Sequence, residues 1–126
     1  MRTRRTATSG TVPDILVDTD IFIDHLRGAV ELKPGRHRLN YSVITRAELF
    51  AGSTATDLAT RVLSALRELA VDRAIAERAG RIRRESGLRM PDALIAATAL
   101  EHRLSLATRN IKHFGTVRGL RIRALG

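Results

Sequence analysis

Cysteine is absent from the 126-residue chain. That removes disulfides, thiolate nucleophiles and Cys-ligated zinc together, and it suits a reducing cytoplasm. Tryptophan is absent too, and only Phe22, Phe50, Phe114 and Tyr41 carry aromatic rings. Base stacking on single strands needs several aromatic platforms, so a nucleic-acid ligand would be held mainly by its phosphates. No apolar run approaches the roughly 20 residues of a membrane-spanning helix, and no membrane partner is expected. The stretch from Met1 to Pro13 carries Arg2, Arg4 and Arg5 without the apolar middle region of a secretory signal. It reads as a disordered basic arm, or as an upstream start that a folded domain at 14–126 does not need.

What is present describes a globular chain of one domain. Hydrophobic residues make up 44% of it, and its length is that of a domain able to bury a core. Lys and Arg number 22 against 13 Asp and Glu, a net charge of +9. Such a field attracts polyanions. An acidic protein partner would satisfy it equally, so charge narrows the partner and leaves the reaction open.

Ile15-Leu16-Val17 is a short apolar run ending at Asp18-Thr19, the pattern of a buried strand entering a helix. Ile21, Phe22 and Leu26 share one helical face, and Gly28 can stop that helix. The stretch around Lys33–Arg38 reads as a loop, and Leu39 to Ile44 as a second strand. Thr45-Arg46-Ala47-Glu48 has capping-box spacing and predicts a helix reaching about Ala51, ended by Gly52. Apolar periodicity predicts a helical pair over Asp57–Leu69 and Arg73–Glu85, packed antiparallel, with Gly87 as the break. Pro91 suits a helix start, and the Ala-rich segment from Pro91 to His102 follows it. Leu104–Thr108 and Leu120–Leu125 are further strand candidates. Alternating strands and helices imply an α/β fold, a parallel sheet of four or five strands between helical layers. Ligands of such sheets bind outside the carboxyl ends of the strands.

Three acids fall at such places. Asp18 ends the first strand, Glu48 lies in the first turn after the second, and Asp92 begins the Ala-rich helix. Singly, each has a plain structural reading: an N-cap, the acid of a capping box, a charge suited to a helix dipole. Together, each flanked by apolar residues, they imply like charges gathered at the edge of a core. Such a group favours a cation. Hard oxygen donors select Mg²⁺ or Mn²⁺ over zinc, and His25, His37, His102 and His113 form no pair at zinc-binding spacing. A carboxylate-held cation on a basic protein points to phosphodiester chemistry.

Val17–Asp24 (VDTDIFID), Ser42–Leu49 (SVITRAEL), Met90–Ala99 (MPDALIAATA) and Ala107–Phe114 (ATRNIKHF) stand in this order. The set resembles a PIN domain, and more narrowly the VapC-type toxin of a bacterial toxin–antitoxin pair, from about Ile15 onward. The resemblance implies a three-layer α/β/α fold and an Mg²⁺- or Mn²⁺-dependent endoribonuclease leaving 5′-phosphate and 3′-hydroxyl ends. It also implies a homodimer and a cognate antitoxin whose tail blocks the acidic pocket. Under it Asp18, Glu48 and Asp92 are the catalytic acids, with Asp18 and Asp92 on the metal. Thr108 supports them, Thr19 and Asp20 border the site, and Asn110 offers a carbonyl oxygen. Arg89, Arg109 and Lys112 are expected to steer the RNA only from their closeness in sequence to the acidic motifs, and His113 could touch a phosphate or protonate the leaving oxygen; Phe22, Leu26 and Phe50 would line the antitoxin groove. One departure is plain: where the family usually has a fourth acid, this chain has Asn110 and His113. The alternative readings are a non-catalytic basic nucleic-acid-binding module and, on the D-x-D at Asp18–Asp20, a phosphatase with an Asp nucleophile.

Overall fold

The computed structural model describes residues 14–28, 32–52 and 56–125. In chain order the elements are β1 (Asp14–Val17), α1 (Thr19–Leu26), β2 (Arg38–Ser42), α2 (Val43–Ala51) and α3 (Thr56–Ser64). Then come β3 (Arg67–Leu69), α4 (Arg73–Ser86), α5 (Met90–Glu101), β4 (Ser105–Ala107) and α6 (Ile111–Phe114). The strands pair in the order β3-β2-β1-β4, and every pairing is parallel. Parallel neighbours need long crossovers, and here each crossover carries one helix or more.

Burial follows the pleat. Leu16 and Leu106 lie with Ile75, Ile82, Ile95 and Phe114 on one face, under α4 and α5. Ile15, Val17 and Ala107 lie with Phe22, Tyr41 and Leu63 on the other. Two cores on two faces make three layers, as the sequence pattern predicted. Buried Ala93, Ala96, Ala97 and Ala99 keep α5 slim against its neighbours. On the opposite face the Phe22 ring meets Tyr41 edge-to-face, 6.2 Å between centroids at 81°. Burying such a ring stabilises the fold by roughly 2–3 kcal/mol.

Several sequence expectations need correction. The helix expected through Leu69 ends at Ser64, and Arg67–Leu69 is a strand beside β2. Three residues, two of them charged, are too few to fix a period, and pairing with β2 decides the strand. The helix packed on α4 is α5 rather than α3, and their contact is the most extensive between elements of the described residues. Val43 and Ile44 open α2 rather than closing β2, and Ser42 is the N-cap, its Oγ accepting from Ile44 N at 3.0 Å. Thr45 therefore caps nothing, and Glu48 stands in the second turn. The fifth strand shrinks to one parallel bridge, Leu106 to Ile122. Phe22 is fully buried and cannot wall a docking groove, whereas Phe50 is 44% exposed. The basic stretch 1–13 lies outside the described residues.

This topology fixes where a site can form. β1 sits between β2 and β4, so the connections diverge at its carboxyl end, the switch point where ligands of such sheets bind. Asp18 follows β1 and Thr108 follows β4, and Asp18 N donates to Ala107 O at 2.9 Å.

Candidate active site at the carboxyl edge of the sheet

Asp18 is only 5% exposed. It caps α1 by accepting from Thr19 N at 2.8 Å through Oδ1, while Thr108 Oγ1 donates to its Oδ2 at 2.8 Å. The Thr108 hydroxyl also leans on Asp20 Oδ2 at 3.3 Å, and the backbone N–H of Arg109 donates to that same oxygen at 3.1 Å. Asn110 N donates back to Thr108 Oγ1 at 2.9 Å. The loop after β4 is thus tied to the first turn of α1, and its threonine holds two carboxylates together.

Glu48 enters from α2. Thr19 Oγ1 donates to Glu48 Oε1 at 2.6 Å and lies 2.9 Å from Thr45 Oγ1. Asp92, half-buried in the first turn of α5, takes no side-chain hydrogen bond among the described residues. Its field still reaches the group, since Asp92 raises the pKa of Asp18 and Asp20 raises that of Asp92. Acids from three separate stretches therefore share one edge of the sheet.

Their protonation shows the strain of that arrangement. Burial, then the neighbouring charge of Asp20, pushes Asp18 from the ordinary 3.8 up to about 7, against the pull of the Thr108 and Thr19 hydrogen bonds. Burial also raises Asp92, while Arg89 and His113 oppose the rise. The donors are all hard oxygens, and Asp20 Oδ1 is buried with no hydrogen-bond partner. A divalent cation fits this set: it would neutralise the crowding and take up an oxygen the protein leaves unsatisfied. Among the described residues no three Asp, Glu or His side chains converge closely enough to hold an ion alone.

Asn110 Nδ2 is 2.9 Å from His113 Nδ1, which joins the two side chains standing where an acid was expected. Arg89 and Lys112 are exposed. Arg109 is not a free cation: its Nε pairs with Asp24 at 2.8 Å. Sequence reasoning missed Asp24 and the role of Thr45. The signal for the first was available, since Asp20 and Asp24 are four apart on one helix face. The second was hidden by the capping box that Thr45 and Glu48 imitate.

A parallel α/β/α domain with acids and a buried threonine at its switch point has the architecture of a PIN domain, and residues 15–119 match the PIN domain family. Ribonuclease VapC10 of Mycobacterium tuberculosis is 39% identical over 115 residues, covering 79% of this chain and 85% of the relative. Ribonuclease VapC19 of the same organism is 35% identical over 113 residues, covering 79% and 90%. A chain of a toxin–antitoxin complex from Klebsiella pneumoniae superposes with a TM-score of 0.69 at 35% identity, covering 84% of this chain and 94% of that one. A chain of DNA-bound VapBC from Salmonella typhimurium reaches 0.77 at 24% identity, over 90% and 98%, and supports the fold alone. The chain belongs to the PIN-domain family, in its VapC branch.

Proposed function

We propose that this protein is the toxin of a toxin–antitoxin pair, an endoribonuclease that hydrolyses RNA phosphodiester bonds with Mg²⁺, or Mn²⁺ in its place. The observation that carries the reading is Asp18. A carboxyl so buried, held by two donors and still raised to about 7 beside Asp20 and Asp92, belongs to a site completed by a cation. The ribonuclease names of the VapC relatives support the same reaction.

Asp18 and Asp92 hold the cation in this reading, with Asp20 Oδ1 beside them. When bound, it supplies charge neutralisation, polarises a phosphoryl oxygen and acidifies a water. Glu48, fixed by the Thr19 hydroxyl, would meet the cation through the attacking water and take that water's proton. The bond to the 3′ oxygen breaks, that oxygen gains a proton from solvent, and the products carry a 5′-phosphate and a 3′-hydroxyl. Thr108 keeps Asp18 oriented, Asn110 and His113 border the phosphate path, and the exposed Arg89 and Lys112 guide the strand. Arg109, paired with Asp24, contributes its backbone more than its charge.

We infer as partners a cognate antitoxin that covers the acidic edge, a second copy of the chain, and cytoplasmic RNA. The toxin–antitoxin complexes among similar structures support the antitoxin. Among the described residues no helix is long and apolar enough to cross a membrane.

The test is RNA turnover. Chelation stops cleavage, added Mg²⁺ or Mn²⁺ restores it, and Asp18→Asn or Asp92→Asn removes nearly all of it in a folded protein. A non-catalytic nucleic-acid binder would bind RNA with the same salt dependence and turn over none. Full cleavage in excess chelator, or in both variants, overturns the proposal.

A further inference from the structure

The Ser42 cap leaves Thr45 without the role its sequence position suggests. Thr45 is completely buried behind the acids of the site, and Thr19 is 7% exposed. A threonine hydroxyl has one hydrogen. Thr19 spends its own on the Glu48 carboxylate at 2.6 Å, so in the 2.9 Å contact between the two threonines Thr45 is the donor. The chain of hydrogen bonds runs Thr45 to Thr19 to Glu48, each link polarising the next. Thr19 also gives its backbone N–H to Asp18 Oδ1. One residue thus grips two of the site's acids, by backbone on one side and hydroxyl on the other.

We propose that the Thr45–Thr19 hydroxyl pair is a positioning relay that sets the distance and orientation between Asp18 and Glu48. With Thr45 donating, the only hydrogen of Thr19 is turned to Glu48 and the rotamer of Thr19 is locked. Without Thr45, that hydroxyl can rotate, and Glu48 loses its fixed aim at the water or cation between the acids. Thr45 acts through another residue and touches no reacting atom. The inference rests on the reading of Asp18 and Glu48 as site acids. It goes beyond that reading by giving α2 a second anchoring point, three residues before Glu48 on the same helical face.

The experiment compares Thr45→Val, Thr45→Ala and Thr45→Ser, with Thr19→Val alone and in the Thr45→Val background. Thermal melts confirm folding, RNA cleavage gives kcat and KM, and titration with Mn²⁺ alone gives its affinity. Partners that orient metal-site carboxylates are worth about 10–100-fold in metal affinity or activity. Thr45→Val and Thr45→Ala are expected to lower kcat by about that factor with KM for RNA unchanged, and to weaken Mn²⁺ binding. Thr45→Ser restores both to within a few-fold. Adding Thr45→Val to Thr19→Val changes nothing further, because the relay is already cut. Folded Thr45→Val and Thr45→Ala proteins with wild-type kcat and Mn²⁺ affinity overturn the relay. So does a Thr45→Ser variant as impaired as Thr45→Ala, which makes Thr45 a packing residue. Failure of the wild-type protein to cleave any RNA overturns the proposed function instead, and the Mn²⁺ titration then decides the relay by itself.

Discussion

Replacing Asp18 with Asn should make the metal-free protein more stable at neutral and alkaline pH while abolishing its activity. The rise of this carboxyl from 3.8 to about 7 corresponds to about 4 kcal/mol at 1.36 kcal/mol per tenfold change in proton affinity. The sign follows from proton linkage. Between about pH 4 and 7 the folded state holds a proton at Asp18 that the unfolded chain has released, so stability falls as pH rises through that window. The penalty is absent below about pH 4 and fully present above about pH 7. The Asp18→Asn side chain carries no charge and escapes it. Its carbonyl still accepts from Thr19 N, but its amide cannot accept the Thr108 hydroxyl, which turns to Asp20 Oδ2, 3.3 Å away. Allowing about 1–2 kcal/mol for that loss, the net gain is on the order of 2–3 kcal/mol near pH 8. At this chain length that is roughly 5–15 °C in Tm. Urea denaturation in chelator near pH 5 and pH 8 measures it, and the advantage of the Asp18→Asn variant should shrink toward the acid side. Millimolar Mg²⁺ should stabilise the wild type and leave the variant nearly unmoved. A variant no more stable than wild type near pH 8, or a difference that ignores pH, would show that burial does not strain Asp18. The argument for a cation would then lose its physical basis.

Two further substitutions test the frame that holds the site. Ser42→Ala should cost about 1 kcal/mol, the value of a lost N-cap, through fraying of α2. Equal stability in chemical denaturation would mean that Ser42 does not cap α2, and would reopen the role given to Thr45. Phe22→Ala should cost about 3–5 kcal/mol by opening a cavity against Tyr41. A small loss of stability with a large loss of antitoxin binding would restore Phe22 to the docking surface from which its burial removes it.

Much of this protein is legible in its chain. The apolar run Ile15–Val17 stops at an acid, and the alanines of α5 follow a proline suited to a helix start. Strands alternate with helices because a parallel sheet requires crossovers. Those local facts determine the fold class, and the +9 charge with hard oxygen donors bounds the chemistry. Pairing and burial, which are non-local, decided the rest. Leu69 continues the helical spacing of Leu58, Val62 and Leu66, yet Arg67–Leu69 is a strand because β2 offers it an edge to pair with. Thr45 and Glu48 look like a capping box, yet Ser42 takes the cap, which frees both side chains to meet Thr19 across the sheet edge. Asp24 reads as an ordinary surface acid until the loop after β4 brings Arg109 onto it. A sequence records which groups are available and at what spacing along the chain. Which of them spend their hydrogen bonds on one another, and which charges are crowded away from water, depends on residues such as Thr108 and Asp18 that are 90 positions apart. Only the folded backbone brings such pairs together.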